Sequence, residues 1–203
     1  MIFLAQGDLA AARELLAQPR EEVQEADLVV QMAMYWDLVW VLDDAKQKLL
    51  MSLPVEAFGG DPAGRTLIFA QSYSLRGDKE NQGRSGAEAA RAFSEQLSQT
   101  PDDAQLHVLR GLALAYAGRR DEAIDEGRRG VALLPIGRDA YVGPYVQHQL
   151  ARIYTIVGEK EKALDMLEPL LKIPYFLSPG WLRIDPSFAP LRGDPRFEKL
   201  LGR

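Results

Sequence analysis

The chain has 203 residues, is 47% hydrophobic and 26% charged, and carries a net charge of −5. That balance excludes wholesale disorder, and the acidic excess argues against a nucleic-acid partner, which would need a basic face. Cysteine is absent, which removes disulfides, thiol catalysis and thiolate metal sites, and no apolar run is long enough to insert in a membrane.

Reading from the N-terminus, Ile2-Phe3-Leu4-Ala5 is too short to form the apolar core of a secretory signal. Next comes Gly7-Asp-Leu-Ala-Ala-Ala12, a phrase that returns as Gly118-Arg-Arg-Asp-Glu-Ala123 and Gly158-Glu-Lys-Glu-Lys-Ala163. Its alanine has counterparts at Ala45 and Ala89, so Ala12, Ala45, Ala89, Ala123 and Ala163 are separated by 33, 44, 34 and 40 residues. Recurrence near 34 residues marks stacked helix–turn–helix units, in which small residues let paired helices cross closely.

The run 28–41, with Met32, Ala33, Trp36 and Trp40, predicts one apolar helix, paired with a second over 43–53 that stops at Pro54. Large apolar residues at helical spacing read as core, so both tryptophans are expected to be buried, with a peptide-binding aromatic patch as the alternative reading. Asp43-Asp44 reads as a solvated helix start and Gly59-Gly60 as a turn. Asp61-Pro62 opens a helix that continues through 66–75. The polar stretch 76–83 predicts a long loop, and Ser85-Gly-Ala-Glu88 a capping box restarting the helix towards Ser98, with Gly83-Arg-Ser-Gly86 in the turn.

The clearest unit is 104–137. Leu106, Leu109, Leu112, Ala113 and Tyr116 form an amphipathic stripe, Gly118 breaks it, and a second helix with Ala123, Ile124, Val131 and Leu134 runs to Pro135. A linker over 136–143 precedes a further pair over 144–171. The segment 178–203 has a different texture, with Ser178-Pro179, Asp185-Pro186 and Asp194-Pro195 as three cap-plus-proline starts. Trp181, Phe188, Leu191, Phe197, Leu200 and Leu201 there, with 174–177 beneath them, are expected to cover the end of the last pair.

The unit 104–137 resembles a tetratricopeptide repeat, with Gly111, Ala123 and Pro135 on its eighth, twentieth and thirty-second positions. Ala70 and Tyr73, and then Leu150, Ala151, Tyr154, Gly158 and Ala163, match the same pattern. Gly127, Gly130 and Arg110 depart from it. The resemblance implies an all-α, right-handed superhelical solenoid of antiparallel helix pairs. Repeats would occupy 1–177, with pairs at about 26–57, 63–101, 104–137 and 144–177, and a short-helix cap would follow at 178–203. Phe3 and Gly7 then fall midway through a first, truncated repeat, as if the chain were part of a longer protein. The wording of 182–201 looks like the tail that closes such regions in bacterial multidomain signalling proteins, whose repeats follow a kinase, cyclase or winged-helix domain.

The same resemblance implies a ligand groove on the inner faces of the first helix of each pair. It would be built from Asp27, Gln31, Met34 and Asp37; Leu67, Gln71 and Ser74; Gln105, Val108 and Leu112; and Tyr145, His148, Gln149 and Arg152. The lysine–asparagine clamp with which some members grip a C-terminal carboxylate is missing. No phosphate-cradling loop or zinc-protease motif occurs, and the two histidines, His107 and His148, are expected to be ordinary and partly exposed, with their proximity in space left open. The expectation is therefore a non-catalytic scaffold that needs no cofactor or metal and binds a protein or peptide in its groove. It would neither contact nucleic acid directly nor insert in a membrane, and could self-associate through its open first repeat. A small-molecule-sensing regulatory domain is the alternative, on the strength of the 76–83 loop and the glycines at 127 and 130. A cytoplasmic location is expected, with the extracytoplasmic part of an anchored protein as the other possibility.

Overall fold

A computed structural model describes residues 1–18 and 23–202. They are all-helical, and no strand occurs among them. Helices α1 (Ile2–Gln6), α2 (Leu9–Ala17), α3 (Glu25–Val30) and α4 (Asp44–Ser52) form an irregular N-terminal third. Three longer helix pairs follow: α5 (Pro62–Leu75) with α6 (Lys79–Leu97), α7 (Ala104–Tyr116) with α8 (Arg120–Leu133), and α9 (Val142–Ile156) with α10 (Lys160–Leu170). Short helices α11 (Pro179–Ile184) and α12 (Pro195–Leu200), separated by a 3-10 turn at Pro186–Leu191, complete the chain.

Local chemistry accounts for most boundaries. Aspartates at 43, 61, 78 and 103 each accept a backbone N–H from the first helical turn, and Ser178, Asp185 and Asp194 do the same for the three expected proline starts. Between paired helices the chain reverses at Gly77, Gly118 and Gly158, with φ of 73°, 76° and 84°, where a Cβ would be strained. Pairs cross closely where the sequence is small. A Cβ on Gly111 would lie 3.0 Å from the Ala123 carbonyl oxygen, and one on Gly86 2.8 Å from that of Ala113.

Several expectations need correction. The helix over 28–41 is not continuous: α3 passes into a π-helical turn, Gln31–Tyr35, the chain breaks at Trp36–Leu38, and a 3-10 turn takes Val39–Val41. Asp37 lies at φ +53°, incompatible with helix, and the break swings Trp40 into the core while leaving Trp36 at the surface. The loop over 76–83 is a three-residue turn, since α6 already starts at Lys79 behind its Asp78 cap. Ser85 and Gly86 are consequently buried mid-helix and not in a turn, which also withdraws one ground for the sensing alternative. Ala45 is exposed, while Ala12, Ala89, Ala123 and Ala163 are buried, so the alanine series fails at its second member. Gly59 and Gly60, by contrast, are a turn in left-handed conformation.

The two ends of the chain meet. The Ser178 hydroxyl donates to the Ala5 carbonyl at 2.7 Å, and α11 crosses α1 so tightly that a Cβ on Gly180 would lie 2.2 Å from the same oxygen. Trp40 meets Trp181 edge-on at 5.8 Å. One apolar core thus holds Leu4, Ala12, Trp40 and Val41 together with Leu150, Leu167, Trp181 and Phe188. Met1, Ile2 and Phe3 stay exposed, so the first helix is covered on one side only.

Candidate functional site

The break at Trp36–Leu38 points a carboxylate inward. Gln149 donates to Asp37 Oδ2 at 2.8 Å, and Arg152 Nη1 stands 3.6 Å from the same oxygen while donating to Gln149 Oε1 at 2.9 Å. Arg152 is only 4% exposed. Burial works against its charge, but Asp37, with Tyr116, Asp185 and Tyr145 nearby, outweighs burial and moves its pKa up, so the guanidinium stays charged. The left-handed geometry of Asp37, an uncommon and costly one for a non-glycine residue, is held by this pairing.

Two chambers flank the Asp37–Arg152 pair. The outer one, of about 760 Å³, is walled by Tyr35, Trp36, Tyr141, Tyr145, Tyr175 and Phe176, with Asp37 among its lining residues. Its rim is aromatic and open, with Tyr35 at 69%, Trp36 at 48% and Tyr141 at 88% exposure. Burial, then the Asp37 carboxylate, raises the pKa of both Tyr145 and Tyr175, which keeps the phenols neutral. The inner chamber, of about 300 Å³, is lined by Gln71, Ser74, Lys79 and Arg152 together with apolar Val39 and Ile156.

The expected groove residues are thereby redistributed. Met34, Asp37, Gln105 and Tyr145 line the outer chamber, and Gln71, Ser74 and Arg152 line the inner one. Leu67, Val108 and Leu112 are core, while Asp27 and Gln31 face solvent. Gln149 and His148 are buried supports: Gln149 holds Asp37, and His148 Nδ1 lies 3.2 Å from the Tyr175 hydroxyl. Val39, Trp40, Pro186 and Ser187 wall the inner chamber together with Arg152 and Ile156 of α9, so the chain's own N-terminal and C-terminal segments border that side of α9.

Neither histidine is partly exposed. His107 is buried with Nδ1 2.6 Å from Glu126 and Nε2 2.9 Å from the Pro101 carbonyl, and Arg110 joins the same carboxylate at 2.5 Å, which gives the unexpected arginine of α7 a structural role. His148 stacks on Phe188 at 5.8 Å with its Nε2 unpartnered, and burial, then Arg152, lowers its pKa to about 3. The two share no partner. Among the described residues no group of three His, Cys, Asp or Glu could hold a metal, and no helix is long and apolar enough to cross a membrane.

The residues that periodicity missed are Tyr35, Tyr141, Tyr175 and Phe176, while the sequence places Trp36 in the core with an aromatic patch as the alternative. A signal existed for Tyr141, an isolated aromatic in a polar linker; for Trp36, helical spacing pointed the wrong way. No protein-family model, curated protein or solved structure matches the chain.

Proposed function

We propose that this protein is a non-catalytic interaction module that captures an aromatic or aliphatic side chain of a protein or peptide partner in the outer chamber. The observation that carries the reading is the open aromatic rim of Tyr35, Trp36 and Tyr141 over a cavity of about 760 Å³. Rigid, amphipathic aromatics at a concave surface are the usual anchors of binding energy, and the volume falls in the range of specific ligand sites. Met1 and Met34 add soft, adaptable walls. A non-catalytic role is supported by the histidines, since one is engaged by Glu126 and the other is neutral and enclosed by aromatic rings. The three regular pairs with glycine turns support a finer reading of the fold as a tetratricopeptide-type solenoid whose inner face the chain itself has filled.

Selection from a random peptide library tests the proposal. Selected peptides should share a large apolar residue and lose at least tenfold affinity on Trp36→Ala and on Tyr141→Ala. Binding should also shift tryptophan emission, because Trp36 is the exposed one of three tryptophans while Trp40 and Trp181 are buried. Failure to select any peptide, or binding indifferent to both substitutions, would refute it.

A further inference from the structure

The rim of the outer chamber is built from rings that the chain itself leaves unengaged. Elsewhere Trp40 pairs with Trp181 and Tyr175 with Phe176, while Arg65 lies 4.3 Å over the Phe69 ring and Lys162 5.9 Å over that of Tyr154. Among the described residues, Tyr35, Trp36 and Tyr141 pair with no other ring and carry no cation over a face. All three are exposed.

The lining describes a guest for those faces. Six of its fourteen described residues are aromatic in a chain that is 8% aromatic, so π-faces dominate the wall. Asp37 is the one charged side chain among them, and no lysine, arginine or histidine joins it. Its side chain keeps 18% of its surface open, whereas Arg152, which balances it, is buried and borders the inner chamber instead. With the Tyr145 and Tyr175 phenols neutral, the wall offers a cation the electron-rich faces of rings and one carboxylate.

Hydrogen bonding narrows the cation. Asp37 Oδ2 already serves Gln149 and Arg152, and beyond the tyrosine hydroxyls the other polar lining side chain is Gln105. An unmethylated ammonium is strongly hydrated and brings three N–H donors that this wall would leave short of acceptors. A trimethylammonium brings none, and its methyl groups are apolar.

We infer that the outer chamber binds a quaternary ammonium, presented as the side chain of a trimethylated lysine in the partner, with its methyl groups on the faces of Tyr35, Trp36 and Tyr141 and its charge towards Asp37. This rests on the reading of the chamber as a docking place for a partner side chain, and it names that side chain. The aliphatic stem of the lysine would lie along Met34 and the remaining apolar wall.

Isothermal titration calorimetry of the full chain tests the assignment with three short glycine- and serine-flanked peptides that differ at one side chain. They carry trimethyllysine, lysine, or the neutral isostere in which carbon replaces the quaternary nitrogen. The trimethyllysine peptide should bind about threefold to tenfold more tightly than the isostere, and at least tenfold more tightly than the lysine peptide. Trp36→Leu keeps an apolar side chain at an exposed position but removes the π-face. It should cost the trimethyllysine peptide about tenfold and leave the isostere within about twofold. Choline chloride, a free source of the same group, should bind at least tenfold more weakly than the peptide; choline as tight as the peptide would overturn the assignment to a partner lysine. Equal affinities for trimethyllysine and its isostere would overturn the inference while leaving the chamber an apolar docking place. Absence of binding by all three peptides would also overturn it, and the peptide selection would then judge the docking reading by itself.

Discussion

Two side chains on α9 concentrate the electrostatics of the molecule. Asp37→Ala would leave Arg152 charged, buried and short of its carboxylate, and should cost roughly 3 kcal/mol, read as a fall in the urea midpoint. Removing the left-handed aspartate would relieve little in return, since alanine is also disfavoured there. His148 makes a pH prediction of definite sign. Its folded pKa of about 3 lies below the unfolded value near 6.5, so the unfolded state holds the extra proton between those pH values. Stability should therefore fall as pH drops through that window, by up to about 1.4 kcal/mol per pH unit from this group. Asp185, whose pKa burial raises, acts with the opposite sign above the ordinary carboxylate range. The difference between wild type and His148→Phe isolates the histidine: the variant should lose this slope and, with its orphaned Nε2 gone, match or exceed wild-type stability at neutral pH. An unchanged slope would place the acid sensitivity elsewhere.

Helix α6 holds two glycines three residues apart with opposite duties. A Cβ on Gly83 meets open space, whereas one on Gly86 would press on the backbone of α7 at Ala113 and Ala117. Gly83→Ala should stabilise by about 0.5–1 kcal/mol through helix propensity, and Gly86→Ala should destabilise by about 1–3 kcal/mol, both measurable by thermal or urea unfolding. This helix also shows what a single sequence discloses. Its core face was legible, because Ala89 falls on the crossing position and is fully buried. Its start was not, because Ser85-Gly-Ala-Glu88 is a genuine capping pattern that lost to the earlier Asp78 cap, and tertiary contact with α7 then absorbed the glycines. The cap-plus-proline starts of α11, the following 3-10 turn and α12 were legible for the converse reason, since their signal is complete within two residues. The break at Trp36 carried no local mark. Nothing within 28–41 resembles a stop signal, and the turn is stabilised by Gln149 and Arg152, more than a hundred residues away.

At the level of the whole molecule, the N-terminal third and the C-terminal segment pack against the regular pairs. Periodicity could not say what would cover those pairs, since long-range closure leaves no period. For that reason seven of the expected groove residues were found lining the chambers and the others in the core, in a buried support or at the surface. The closure itself is open to test. Gly180→Val should clash with the Ala5 carbonyl, separate α1 from α11, and raise hydrogen exchange in Ile2–Gln6 and around Trp40 while leaving α7 and α8 protected. The central claim, that the aromatic chamber is the docking place, is tested most directly by hydrogen-exchange footprinting of a selected peptide complex. Protection confined to 34–37, 141–145 and 174–176 is the predicted result; protection running along 67–74 and 108–112 would contradict it.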